Sequence, residues 1–152
     1  MNYEQNMLSL GYKLPEVAKP AGSYLPAITS GNLVFTAGQI PLVEGKLAAT
    51  GKVGSEIELE QAQELARICI LNGLAAVKSE IGDLQRIKKI VKIVGFVSSD
   101  PKFTQQPQVI NGASDLLAEI FGEVGRHARS AVGVAVLPLD VPVEIELIVE
   151  FD

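Results

Sequence analysis

Apolar residues recur along this chain at two different periods, and the switches between them mark its elements. From Leu59, the positions Ala62, Ala66, Cys69, Gly73, Ala76 and Val77 repeat at helical spacing down to Gly82. Val109, Ile110, Ala113, Leu116, Leu117, Ile120 and Phe121 mark a second amphipathic helix, closed by Gly122. Residues 24–29, 33–38 and 90–98 predict strands, and Ser30-Gly31-Asn32 supplies a hairpin turn between the first two. Two further strands run from Arg129 and from Val143. Ser55, with Glu58 three residues on, predicts a capping box ahead of the first helix. Residues 41–54 predict a polar loop. Residues 1–20, interrupted by Pro15 and Pro20, predict an extended N-terminal arm lying against the domain.

The order β-β-α-β-α-β-β predicts a single α+β domain over residues 21–152, with two helices on one face of a β-sheet. Strand alternation puts Val132, Val134 and Val136 on one side and Arg129, Ala131, Gly133, Ala135 and Leu137 on the other. In the last strand Val143, Ile145, Leu147, Val149 and Phe151 oppose Glu144, Glu146, Ile148 and Glu150. A one-residue slip would turn a whole set to solvent, so the large aliphatic sets are expected together on the helix-covered face. The second face then mixes small residues with Arg129, Leu137, Ile148 and glutamates, and a neighbouring subunit is expected to cover it.

Composition strengthens that expectation. Hydrophobic residues are 47% and charged residues 20% of 152, a surface too apolar for a monomer of this size. A net charge of −5 and a pI near 4.9 count against nucleic acid as a partner. The one basic cluster, residues 86–92, predicts a solvated face. No apolar run approaches the roughly 18 residues of a membrane span. Residues 1–10 lack the basic start and apolar run of a signal peptide, so a cytoplasmic protein without a membrane partner is expected. Cys69, the single cysteine, lies on the helical stripe and predicts a small core residue.

Candidate chemistry concentrates in the last quarter of the chain. Arg129 heads an apolar strand, where its planar fork of donors suits a carboxylate and its burial requires an anion. A neighbouring Asp or Glu would make that a structural ion pair; a ligand would make it a site. Glu144 stands near the start of the last strand. No Walker-type loop, dinucleotide fingerprint, Ser-His-Asp set or metal-ligand cluster is present, so neither cofactor nor metal is expected. His127, the sole histidine, predicts a solvent-facing loop residue and cannot alone make a zinc site.

Two stretches carry a family resemblance. Arg129-Ser130-Ala131-Val132, then Leu137-Pro138, then Val143-Glu144-Ile145-Glu146 resembles the C-terminal signature of the Rid family, the YjgF-type reactive-intermediate deaminases, some labelled L-PSP endoribonucleases. Ala21-Gly22-Ser23-Tyr24 and Thr36-Ala37-Gly38-Gln39-Ile40-Pro41 resemble its N-terminal motif. The resemblance spans about residues 20–150. It implies a chorismate-mutase-like fold, a homotrimer, and sites in clefts between subunits. It further implies Arg129 as anchor of a ligand carboxylate and Glu144 as the acid orienting a water. Tyr24 would line the cleft, Gly38 would offer backbone groups, and Asn111 would be contributed across the interface. Each has a plainer reading: a strand carboxylate for Glu144, a packing ring for Tyr24, a bend for Gly38, a helix-opening polar residue for Asn111.

The chain departs from the family pattern at Ser23 (commonly Pro), Ala37 (commonly Ser), His127 (commonly Pro or Ala) and Ala131 (Cys in many active members), and its arm is longer. A divergent subfamily is implied. The function expected is hydrolytic deamination of 2-imino or enamine acids. A non-catalytic binder of small 2-oxo acids is the alternative, and an endoribonuclease stands third.

Overall fold

The computed structural model describes residues 2–152, leaving Met1 outside. Its principal sheet has five strands in the order β1-β2-β7-β5-β6. These are β1 (Ala27–Ser30), β2 (Leu33–Thr36), β5 (Ile87–Ser98), β6 (Ala128–Val134) and β7 (Val143–Phe151). All neighbours are antiparallel except β5 and β6, which run parallel. Helices α2 (Leu59–Ile81) and α3 (Gln106–Phe121) cover one face. They end where the sequence places their stops, at Gly82 and Gly122, both at positive φ.

Five expectations change. The arm is not extended throughout: Tyr3–Ser9 form a third helix, α1, capped by Asn2. It is tied down by the buried Met7, by Tyr3 against the Phe121 ring at 4.5 Å, and by Asn6 Nδ2 donating to Ile120 O at 2.9 Å. The polar loop contains a small hairpin, β3 (Leu42–Val43) with β4 (Lys46–Leu47). The capping box does not form, because Gly54 N and Ile57 O close a bridge upstream and Glu58 becomes the N-cap of α2. The first strand begins at Ala27, so Tyr24 lies in the loop before it.

The fifth change concerns the faces of β6. The β7 faces follow the sequence pattern, with Val143, Ile145, Leu147 and Val149 buried under the helices. The parallel register aligns Arg129 with Ile93, Ala131 with Gly95 and Gly133 with Val97, so these β6 residues share the helix side. Val132 and Val136 instead face outward, 44% and 63% exposed. Space decides this. A β-carbon on Gly95 would lie 2.4 Å from Ile110 of α3, and one on Gly133 would lie 2.7 Å from Gln106 Nε2. Helix α3 packs too closely for valines, and only small residues fit beneath it. The open face therefore carries Ile28, Phe35, Ile148, Val94, Phe96 and Val132 among Lys92, Glu144 and Glu146. It is more apolar than the sequence pattern implies.

The basic cluster is partly spent on the C-terminus. Arg86 donates to Asp152 O and lies 5.1 Å over the Phe151 ring, and Lys88 pairs with Asp152 at 3.0 Å. Cys69 is fully buried, its thiol donating weakly to Val143 O at 3.6 Å. Burial, then Glu144, raises its pKa well above the ordinary value, as suits an unreactive core thiol. Among the described residues no helix is long and apolar enough to cross a membrane.

Candidate functional site

The candidate residues fall into two groups on opposite sides of the sheet. On the open face, Glu144 lies against Gly38. A β-carbon at Gly38 would come 1.9 Å from Glu144 Oε2, so the absence of a side chain makes room for the carboxylate. The strand end is pinned beside it, since Gln39 N donates to Ile145 O at 2.8 Å and Ile145 N to Gln39 O at 3.0 Å. Ala37 N donates to Pro26 O at 2.8 Å, which brings the Tyr24 loop to the same end of the sheet. Tyr24 is half exposed, and its hydroxyl accepts from Ala21 N at 3.4 Å. Burial, and secondarily Glu146 two residues along, hold the Glu144 carboxyl above the ordinary glutamate range.

On the helix side, Arg129 reaches across to α3. Its Nη1 donates to Ser114 Oγ at 3.0 Å and its Nη2 to Pro107 O at 3.2 Å. Pro107, Asn111 and Ser114 follow one another at four and three residues, one face of the helix, so Asn111 lies on the stripe that meets Arg129. Among the described residues no carboxylate pairs with Arg129, although five other ion pairs form, all on other cations. The guanidinium is held by neutral oxygens alone. A cation placed so can take an anion from outside the chain.

One chain thus unites Gly38 with Glu144, and Asn111 with Arg129, but not the two groups. Sequence reasoning missed Ser114 and misplaced His127. His127 is partly buried, with Nε2 at 2.9 Å from Ser114 Oγ and Nδ1 at 2.7 Å from Gly125 O. A signal existed for both: His127 stands two residues before Arg129, one strand repeat, and Ser114 stands three after Asn111. A cavity of about 580 Å³ lies elsewhere, between the arm and α2, lined by Met7, Leu14, Pro15, Val17, Ala75 and Lys78. It contains none of the candidate site residues.

Comparison with known proteins now fits this geometry into a family. Residues 4–151 match the family described as "YjgF/chorismate mutase-like, putative endoribonuclease". The chain belongs to the YjgF family. Protein TCP17 of Trypanosoma cruzi is 43% identical over 97% of this chain and 92% of its own length. Atu1372 of Agrobacterium tumefaciens, a solved protein of unknown function, is 47% identical with a TM-score of 0.93, covering 99% of this chain and 92% of its own. TdcF of E. coli, solved with bound serine, is 27% identical with a TM-score of 0.65, covering 90% of this chain and 94% of its own. The YjgF fold is therefore shown for this chain, with a mixed sheet and three helices. The 99% coverage by Atu1372 takes in nearly all of the arm.

Proposed function

We propose that this YjgF protein is a cytoplasmic homotrimeric deaminase, hydrolysing 2-imino and enamine acids to 2-oxo acids and ammonia in clefts between subunits. The observation that carries this reading is the Arg129 guanidinium, held by Ser114 and Pro107 without a carboxylate partner among the described residues. A small acid supplies the missing charge. The serine bound by the family member TdcF has a carboxylate of that kind.

The open sheet face supports the assembly. Its apolar residues need a cover, and a second copy that brings its Gly38–Glu144 end to the α3–β6 edge of the first completes the site. Arg129 and Asn111 then hold the substrate from one subunit, while Glu144, Gly38 and Tyr24 face it from the next. The reaction asks little more. Water adds through oxygen to the imine carbon, its proton passes to nitrogen, the carbon–nitrogen bond breaks, and ammonia leaves as the carbonyl forms. Glu144 orients the water and moves the proton, a role open to a carboxyl that burial holds above the ordinary glutamate range. Fixing the carboxylate supplies the positioning, worth several kcal/mol and at best roughly ten.

The test is direct. An amino-acid oxidase generates 2-iminopropionate in the presence of the purified protein, and the decay of the imine is followed. Faster loss, abolished in Arg129→Ala and Glu144→Gln, is the expected result. Pyruvate binding without faster loss would make the protein a 2-oxo-acid binder instead. RNA cleavage that depends on Arg129, with no effect on the imine, would restore the ribonuclease named in the family's description.

A further inference from the structure

We propose that Ser114 and His127 act as a positioning pair behind Arg129, fixing its guanidinium for the ligand carboxylate; this rests on the reading of Arg129 as an anion anchor. The hydrogen bonds can be directed without ambiguity in the neutral imidazole. Gly125 O is a carbonyl and can only accept, so Nδ1 of His127 carries the proton and donates to it across 2.7 Å. Nε2 is then a lone pair, and the Ser114 hydroxyl donates to it across 2.9 Å. With its proton drawn toward His127, Ser114 Oγ presents lone pairs to Arg129 Nη1, which donates across 3.0 Å. The chain of donors runs from Arg129 to Ser114, from Ser114 to His127, and from His127 to the backbone of the 3-10 turn that follows α3.

The arrangement answers a physical need. Arginine carries roughly 2 kcal/mol of side-chain rotamer entropy, and a guanidinium without a counter-ion has no strong partner to hold it before ligand arrives. A serine hydroxyl alone would hold it poorly, because its proton can rotate toward the cation. His127 removes that freedom. Pro107 O fixes the second nitrogen at 3.2 Å, so the fork is held at two points on α3. Neither Ser114 nor His127 needs to touch substrate. Their joint effect is to set the orientation of the donors that do, which lowers the ordering cost of binding. The resemblance implies Pro or Ala at the position of His127, so the device is proposed for this chain alone.

The experiment uses the full-length labelled protein, in which His127 is the only histidine. Nitrogen NMR of the imidazole at pH 8 is expected to show Nδ1 protonated and Nε2 not; the opposite tautomer, or a rapid average of the two, overturns the proposal. Rotation of the Arg129 guanidinium is expected to be slow in the wild type and several-fold faster in Ser114→Ala and His127→Asn. Asn reaches Gly125 O but not Ser114, whereas His127→Gln extends an acceptor to Ser114 and is expected to restore slow rotation. Pyruvate, titrated into each variant, is expected to bind roughly tenfold more weakly in Ser114→Ala and in His127→Asn, with recovery in His127→Gln. A purely structural role would lower stability in all three alike and show no rescue by Gln. If Arg129→Ala abolishes pyruvate binding while rotation and affinity are unchanged in Ser114→Ala and His127→Asn, the positioning pair is overturned and the anchor stands. If pyruvate binding survives Arg129→Ala, the anchor reading falls, and the rotation measurement alone decides whether the pair fixes the guanidinium.

Discussion

Arg129 and Glu144, the cation and the acid that the family resemblance assigns to one site, lie on opposite faces of a single sheet. Arg129 stands opposite Ile93 on β5 and turns toward α3; Glu144 stands opposite Phe96 on the other edge of β5 and turns away from the helices. The sheet stands between the two within a protomer. Any chemistry that uses both must use two copies of the chain.

The hydrogen bonds of Arg129 predict what its removal costs. A buried ion pair broken at one end costs about 3–5 kcal/mol, because a charge is left behind. Arg129→Ala leaves only a hydroxyl and a carbonyl, both able to meet water, so a loss below about 1.5 kcal/mol is expected in chemical unfolding. A loss in the ion-pair range would mean that a carboxylate from a partner subunit is the resident anion.

At Gly38 the prediction is steric. A methyl group there would occupy the position of Glu144 Oε2, 1.9 Å away, so Gly38→Ala should displace the carboxylate and lower imine turnover about ten- to a hundredfold. The accompanying loss of stability should stay within the roughly 1–3 kcal/mol of an overpacked site. Kinetics and thermal unfolding of the variant check both. Full turnover in Gly38→Ala would remove Glu144 from the reaction.

The raised pKa of Glu144 has a definite sign. The folded chain binds that proton more tightly than the unfolded chain, so stability falls as pH rises from the ordinary glutamate pKa of 4.5 to the raised native value, and levels off above it. Glu144→Gln cannot ionise. Thermal midpoints of wild type and variant should therefore agree in acid and diverge in the variant's favour across that window. Parallel curves at every pH would contradict the burial argument.

Assembly is checked by mass. Light scattering should report about three times the 16.2 kDa chain. Phe35→Glu and Ile148→Lys, both on the open face, should dissociate the protein while its far-UV circular dichroism persists. A wild-type monomer at micromolar concentration would leave that apolar face without its cover.

Much of this was legible in the sequence. Both long helices stop at glycines the pattern marks, and the alternation of β7 buries Val143, Ile145, Leu147 and Val149, with Phe151 only partly buried. Alternation could not tell which face of β6 is covered, because that depends on how closely α3 approaches Gly95 and Gly133. The α1 helix was hidden by its shortness and by a polar first turn; it is held by Tyr3 on Phe121 and Asn6 on Ile120, each more than a hundred positions away. The motif residues Gly38, Arg129 and Glu144 were named as candidates by resemblance. Ser114 and His127 were given no part in the site, since their contact joins a helix to the loop before a strand and no sequence spacing announces it.

In the proposed reaction Arg129 of one subunit and Glu144 of another share one deaminating site. Mixing is the most direct test. Arg129→Ala and Glu144→Gln are each purified, confirmed inactive toward 2-iminopropionate, then unfolded together in equal amounts and refolded. Random assembly pairs an intact Arg129 with an intact Glu144 at about a quarter of the interfaces, so about a quarter of wild-type turnover should return. A mixture that forms mixed oligomers and stays inactive would contradict the account.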